Sequence, residues 1–490
     1  MKQKTKKTKH PDWALKYKRK GTELRLIKGH YYLYEVTSKW NPEKKRSQKI
    51  TGKLLGKITP EGFIESKKQL LLKAADLMLK QPLFTKEYGI SYFILQQFKE
   101  YIETLEKFFP DIWKQLVVLT FIRLVYQCPI KNIQFRFEHS FLSEIYHEIN
   151  VIDKKVTTLL RQLGLAREKV VNYMRSFIQG GDYILADGTH IVSHSQHIEM
   201  AKQGYNSSQN YDPQVNLLFL FSSKLRLPVF YRILPGNIRD VTSFKLTIEE
   251  SGLEDVVIIT DKGFYSRPNV GCLDSEQLQY ILPLRRNSNL ISYENIEQPK
   301  KKGFDNYFSF HNKYIWHYTL PKDSQKKVVV FYDEHMRIQE ETDYLNRIKT
   351  HPSEYSLENF RHKQPSFGTL SLYTNLTTKK AVDIYQYYKS RQGIETMFNA
   401  MKNILHADAS YMQNEFTLQG WMFINYLALQ WYYHIYKLLS EKELIAKYSV
   451  KDMLMHLSEI RKIKINGVWK TAEITDKTKT LLKKLEIPIT

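Results

Sequence analysis

The sequence predicts an α/β protein: a mixed sheet with helices around it, interrupted by an insertion between its fifth strand and a late helix, and flanked by helical N- and C-terminal regions. Three observations predict it. Between residues 183 and 284 short apolar segments follow one another as strand, strand, strand, helix, strand, strand. One of them, DVVIITD (255–261), is almost continuously apolar, as a strand buried on both faces must be. On either side, long runs carry apolar residues at three- and four-residue intervals, the helical period.

Taken in order, YYLYEV (31–36) and the pieces around 49–64 read as short strands parted by the charged turn NPEKKR. From about 85 to 180 the period is helical, first in FILQQFKEYIETLEKFF and WKQLVVLTFIRLVYQ. VIDKKVTTLLRQLGLAREKVVNYMRSF then reads as two helices joined near Leu163–Gly164, a helical hairpin or a loose helix-turn-helix. After Gly180–Gly181 the strands begin: YILAD (183–187), then NLLFLFSS (216–223) and LPVFYRIL (227–234) as a hairpin around Lys224. Residues 241–252 read as a helix, and DVVIITD and QYILPL (279–284) as the next two strands. Residues 286–369 are polar and aromatic-rich, with a helical run near 334–350. GTLSLYTNL (368–376) returns to strand, and a helix follows. A late helix completing a strand-rich core is the layout of a ribonuclease-H-like domain with an insertion.

The chain has 490 residues, with 42% hydrophobic residues and enough length for two to four structural units. Lys and Arg number 74 against 51 Asp and Glu, a net charge of +23 that points to an anionic partner such as nucleic acid. The first 60 residues hold 18 of these cations and only four acids, a basic arm or small domain. Two cysteines, Cys128 and Cys272, exclude a disulfide framework and a Cys-based zinc site, and suit a reducing cytoplasm. The opening MKQKTKKTKHPDW lacks the apolar core of a signal peptide. The uncharged run Phe416–Tyr436 contains Gln419, Asn425, Gln430 and His434, so it reads as a buried helix and no membrane contact is expected.

Chemistry is carried by carboxylates. Asp187 closes the apolar stretch YILA and Asp261 closes VVIIT. Ligands gather beyond the carboxyl ends of strands in open sheets. Two unneutralised carboxylates side by side would repel, so a metal accounts for such a pair better than packing does. Asp182, Asp240 and Asp255 are rival positions. A third carboxylate comes from YYKSRQGIETMFNAMK (387–402), read as one helix. At 100° per residue, Tyr388, Arg391, Glu395 and Lys402 fall at roughly 0°, −60°, −20° and −40°, one narrow strip that borders the apolar face. On geometry alone a solvated face and an active-site wall remain equally open. His190, His194 and His197 read as ordinary surface histidines.

The pattern YxxRxxxExxxxxxK, filled by Tyr388, Arg391, Glu395 and Lys402, resembles the signature of the DDE transposases of bacterial insertion sequences, the YREK-signature group. LADGTHIVS around Asp187, IITDKGFYS around Asp261 and LPVFYRILPGNIRDVTSF between them are similar to blocks of the same family. The similarity runs over most of residues 30–490. The resemblance implies a ribonuclease-H-like core in which Asp187, Asp261 and Glu395 bind two Mg²⁺ ions, with Mn²⁺ able to substitute. It implies DNA contacts by Tyr388, Arg391 and Lys402, and, where excision passes through a DNA hairpin, base stacking on Trp316 of the insertion. Implied partners are double-stranded DNA (terminal inverted repeats and target) and a second copy in a homodimeric DNA-end complex, in a cytoplasmic, nucleoid-associated setting. A non-catalytic DNA-binding derivative and a ribonuclease-H-like nuclease are the competing classes. The expected divisions are a basic DNA-binding region 1–84, a helical DNA-binding or linking domain 85–180, the core in two parts at 181–285 and 370–410, an insertion 286–369, and a C-terminal helical region 411–490.

Overall fold

The computed structural model describes residues 10–79, 83–204, 212–238, 240–391, 397–405 and 409–489. Two compact units divide between Phe84 and Thr85. In the first, β1 (Thr22–Ile27), β2 (His30–Asn41), β3 (Arg46–Thr59) and β4 (Gly62–Glu65) form an antiparallel meander. Its core is small: Ala14, Leu24, Leu33 and Ile58, with Trp13, Tyr17, Tyr31, Leu55 and Phe63 packed around them.

The larger unit begins within β5 (Phe84–Glu87), which a set of helices up to Arg175 follows. The main sheet follows: β6 (Tyr183–Ser193), β7 (Gln214–Ser222), β8 (Leu227–Pro235), β9 (Val257–Thr260) and β10 (Gln279–Pro283). β11 (Asn306–Phe310), β12 (Lys313–Pro321), β13 (Lys327–Asp333), β14 (Thr369–Thr374) and the two-residue β15 (Ala409–Ser410) complete it. Among the described residues the order across the sheet is β11-β12-β13-β14-β10-β9-β6-β7-β8, with β15 beside β6. β6, β7 and β8 run antiparallel to one another, while β9 and β10 run parallel to β6. That is the mixed ribonuclease-H-like sheet. β9 is buried throughout, as its unbroken apolar sequence requires. The segment 286–369 enters between β10 and β14, and three of its strands continue the same sheet.

Four features differ from the sequence expectation. FILQQFKEYIETLEKFF is two helices, Gly89–Gln97 and Lys99–Phe108, because Phe98 leaves helical geometry to bury its ring against Trp431 and His434, both at 4.8 Å. The break between the next helices lies at Ala166, beyond Gly164. Gly164 is a packing glycine: a Cβ there would stand 2.0 Å from the Phe416 carbonyl oxygen, and one on Gly420 would stand 2.0 Å from that of Leu160. Helices Asp153–Leu165 and Glu415–Glu441 therefore cross with their backbones in contact. Third, the helix Ala381–Lys389 stops before Arg391, so residues 387–402 are not one continuous helix. The Ser390 hydroxyl bonds back to the Tyr387 carbonyl at 2.6 Å, a local competitor of helix propagation. Fourth, the C-terminal region holds a hairpin, β16 (Arg461–Ile465) and β17 (Val468–Thr471), whose β16 edge pairs with β5. The helix Glu415–Glu441 is the buried helix expected, and no single described helix is long and apolar enough to cross a membrane.

Candidate active site

β6 outlasts its apolar stretch. Asp187 is its fifth residue, with six more to follow. Ala186 lies opposite Thr260 in parallel register, so the next pair, Asp187 and Asp261, comes side by side where β9 ends. The rival Asp182 sits at the other end of β6, accepting from the Ser222 hydroxyl, the Lys224 amide (3.0 Å) and the Tyr183 amide (2.7 Å), a structural cap. Asp255 adopts φ 50° in the turn before β9 and accepts from the Gly181 amide through its carbonyl. Both belong to turns.

Arg391 Nη1 lies 3.0 Å from Asp261 Oδ1 and 3.9 Å from Asp187 Oδ2. One guanidinium nitrogen thus neutralises two carboxylates that would otherwise repel. A site where two hard oxygen donors share one cation suits a divalent ion, so the residues present fit the metal that the family uses. Among the described residues no three His, Cys, Asp or Glu side chains converge on one point. The third expected ligand, Glu395, lies outside the described residues.

Lys402 reaches the same place by an unusual backbone. Residues Ala400–Ile404 form a π-helical turn, closed by the Leu405 amide donating to the Ala400 carbonyl at 3.0 Å. Such turns occur mostly as single-turn bulges in helices, frequently at functional sites. Two anchors hold this one. Arg123, buried in the helix Trp113–Tyr126, donates to the Leu405 carbonyl and, at 2.6 Å, to Asn425 Oδ1; burial pushes its pKa down to about 10. β15 then pairs Ala409 with Val192 and Ser410 with Ser193 on β6. Asp187, Asp261 and Lys402 line one cavity of roughly 280 Å³, together with His190, Asn216 and Ser243.

Tyr388 is buried, its ring 5.9 Å from the Arg391 guanidinium carbon, so it supports that arginine from the core side. Trp316 is not brought to the site. It lies on β12, four strands from β9, roughly 19 Å at about 4.8 Å per strand. There it packs against Phe304 and Tyr307 with Lys301 Nζ 4.2 Å from its ring.

Sequence reasoning missed several residues here. His190 faces the cavity from β6, and burial, reinforced by Lys402, lowers its pKa, which keeps the imidazole neutral at pH 7. Strand alternation puts a residue three positions after Asp187 on the opposite face, so the sequence held no signal for it. Burial also lowers the pKa of Lys389; Asp333 opposes the shift, while Lys313, Lys262 and Arg391 add to it. Of these cations Arg391 is the one that touches Asp261, while Lys313 is paired with Asp333 at 3.4 Å. Lys262 and Lys389 stand next to recognised motif residues, but nothing in the sequence links Lys313 to them.

Residues 179–431, more than half of the chain, match the family model of the transposase DDE domain. The chain belongs to the DDE transposases. No curated protein matches this transposase by sequence. Among solved structures it is similar to a piggyBac transposase synaptic complex with hairpin DNA, determined by cryo-EM, at 11% identity and a TM-score of 0.40, over 71% of this chain and 70% of that one.

Proposed function

We propose that this transposase is a YREK-type enzyme of a bacterial insertion sequence that binds the terminal inverted repeats, cleaves the DNA ends and joins them to target DNA by a cut-and-paste route. The observation that carries the proposal is the register that sets Asp187 beside Asp261, with Arg391 bridging both. Asp187, Asp261 and Glu395 would hold two Mg²⁺ ions, or Mn²⁺. When bound, such ions activate the attacking oxygen and stabilise the leaving one.

The chain's own residues do the rest. The cavity admits a phosphodiester between the carboxylates and Lys402, whose ammonium offers a point charge to a non-bridging oxygen. Arg391 has a planar fork that suits a phosphate bidentately once the carboxylates take a metal. Neutral His190 can accept or donate one hydrogen bond at the rim without adding charge. Lys262, next to Asp261 in the chain, and Lys389 add positive potential beside the site. Tyr388 fixes Arg391. The divisions at 85–180, 181–285, 286–369, 370–410 and 411–490, and homodimeric assembly on DNA ends in a nucleoid-associated, cytoplasmic setting, belong to this same reading.

The test is Glu395→Gln. Cleavage of end-containing duplex in Mg²⁺ is expected to fall by at least about 10³-fold, a loss of roughly 4 kcal/mol of barrier lowering, with end binding retained in a gel-shift assay. Cleavage that survives would remove Glu395 from the metal site. Trp316 belongs to the proposal only if a strand leaves the site along the extended sheet. Trp316→Ala is then expected to slow hairpin formation by roughly 5- to 150-fold, the value of one base–aromatic stack of about 1–3 kcal/mol, and to spare the first nick. Equal effects on both steps, followed on a labelled end, would exclude stacking.

A further inference from the structure

The β2–β3 hairpin outgrows the sheet that carries it. β1 pairs with β2 only as far as Glu35, and β4 pairs with β3 only over Gly56–Thr59. Beyond that, Thr37–Asn41 and Arg46–Ile50 pair only with each other, in five rungs, and all but Asn41 are exposed. An isolated two-stranded ribbon is marginal in water and is kept for a reason other than packing. Local bonds hold it: Asn41 Nδ2 donates to Gln48 Oε1 at 3.1 Å, and Asn41 Oδ1 accepts from the Glu43 and Lys44 amides at 3.0 and 3.1 Å.

The two faces differ in chemistry. Directly opposed residues share a face, so Lys39, Gln48, Asn41, Arg46, Thr37 and Ile50 lie together. The other face carries Ser38, Lys49, Trp40 and Ser47. The first set holds the side-chain types that read base edges: an Arg and a Lys for guanine, an amide for adenine, and methyl groups for thymine. From Thr37 to Lys53 there are six cations and a single acid, Glu43; one of the six, Lys49, is paired with Glu23 of β1 at 2.8 Å. Lys45 sits at φ 43° in the turn, a left-handed position that costs a non-glycine residue about 1 kcal/mol, so a charge stands where Gly or Asn would be easier. The major groove, about 12 Å wide, admits a two-stranded ribbon of this kind. Charge complementarity thus singles out a DNA duplex as occupant. A second copy of the ribbon would bring the same six cations together.

We propose that the outer β2–β3 ribbon enters the major groove of the element's end DNA and reads its sequence with Lys39, Arg46 and Gln48, while Lys44 and Lys45 hold phosphates. The proposal rests on the transposase reading above and adds how the end is recognised.

The test is selection from a library of randomised duplexes by the full chain and by three variants. The full chain is expected to enrich one motif. Arg46→Ala and Gln48→Ala should each relax discrimination at one or two adjacent base pairs by about 5- to 150-fold, the worth of one bidentate base contact. Gln48→Ala removes no charge and should leave the salt dependence of binding unchanged. The Lys44→Ala/Lys45→Ala double variant should weaken binding to all sequences alike and shallow the slope of log affinity against log salt by about 2. Base preferences that survive both Arg46→Ala and Gln48→Ala would overturn the proposal, as would variants that change only the monomer–dimer balance. Enrichment of no motif by the full chain would overturn it too. Metal-dependent DNA cleavage by that same chain would then show that the ribbon had failed and the transposase reading had not.

Discussion

At the scale of single residues, the site turns on Arg391. The resemblance to the transposase signature implies a DNA contact for this arginine, and its guanidinium is turned onto Asp261 and Asp187. A divalent ion taken up by those carboxylates would have to displace it from the same oxygens. The Asp261 side chain is 46% exposed, so solvent screens the pair and its worth is on the order of 1 kcal/mol. Arg391→Gln is expected to raise Mn²⁺ affinity in the absence of DNA by about fivefold while lowering cleavage. Titration calorimetry checks this, and an affinity unchanged or weaker would show that the guanidinium does not compete. The pairing of the two aspartates was legible in the sequence, since each follows an apolar strand stretch and parallel neighbours bring such ends together. The strip of Tyr388, Arg391 and Lys402 was legible as a motif but not as geometry. A helical wheel assumes one regular helix, whereas the chain leaves helix after Lys389 and passes Lys402 through a π turn.

At the scale of elements, what escaped the sequence reading was decided by tertiary contact or by overlooked turn chemistry. No local rule reports that Phe98 will give up helical geometry to reach Trp431, or that Gly164 serves a helix crossing. The β16–β17 hairpin is a different case. Asn466 and Gly467, at φ 51° and 80°, are the Asn-Gly pair of a type I′ turn between alternating strands, and the signal was present. That hairpin pairs with β5, which ends in the buried Glu87. The Glu87 carboxyl accepts from the Ile90 amide at 2.5 Å and from the Ser91 hydroxyl at 2.7 Å, fixing the start of the helix Gly89–Gln97. Burial pushes its pKa up to about 7, with those bonds and Arg461 opposing. A carboxyl raised on folding favours the protonated native state. Its contribution is full below the ordinary value near 4.5 and is lost as pH rises through about 7. Urea unfolding is thus expected to show stability falling between pH 5 and pH 7.5 by on the order of 3 kcal/mol from this group, and Glu87→Gln should flatten that fall. A variant with the same pH dependence as the parent would place the effect elsewhere.

At the scale of the whole molecule, charge and chemistry are divided along the chain. Residues 1–84 hold 22 of the 74 Lys and Arg and only seven of the 51 acids, a surplus of 15 that leaves 8 for the rest of the sequence. The first unit is also poor in core, with four buried hydrophobic residues in its cluster, so it offers surface in place of packing. The larger unit has an extended core and the carboxylates, and its 52 Lys and Arg stand against 44 acids, with local pairs such as Arg167 with Glu250 and Arg286 with Glu340. Non-specific affinity for DNA scales with the phosphates neutralised, and its logarithm falls with log salt by about 0.9 per contact. If the basic unit supplies most of those contacts, removing residues 1–84 is expected to weaken duplex binding strongly at low salt. It should also reduce the salt slope by several units, from whatever value the full chain shows. The larger unit should still fold cooperatively, and chain cleavage of DNA brought to it at high concentration should persist, because the aspartates, Arg391 and Lys402 all lie beyond residue 84. Fluorescence anisotropy on one duplex between 50 and 300 mM salt separates the cases. A truncated chain with the parent's slope would move the anionic partner's contacts onto the larger unit.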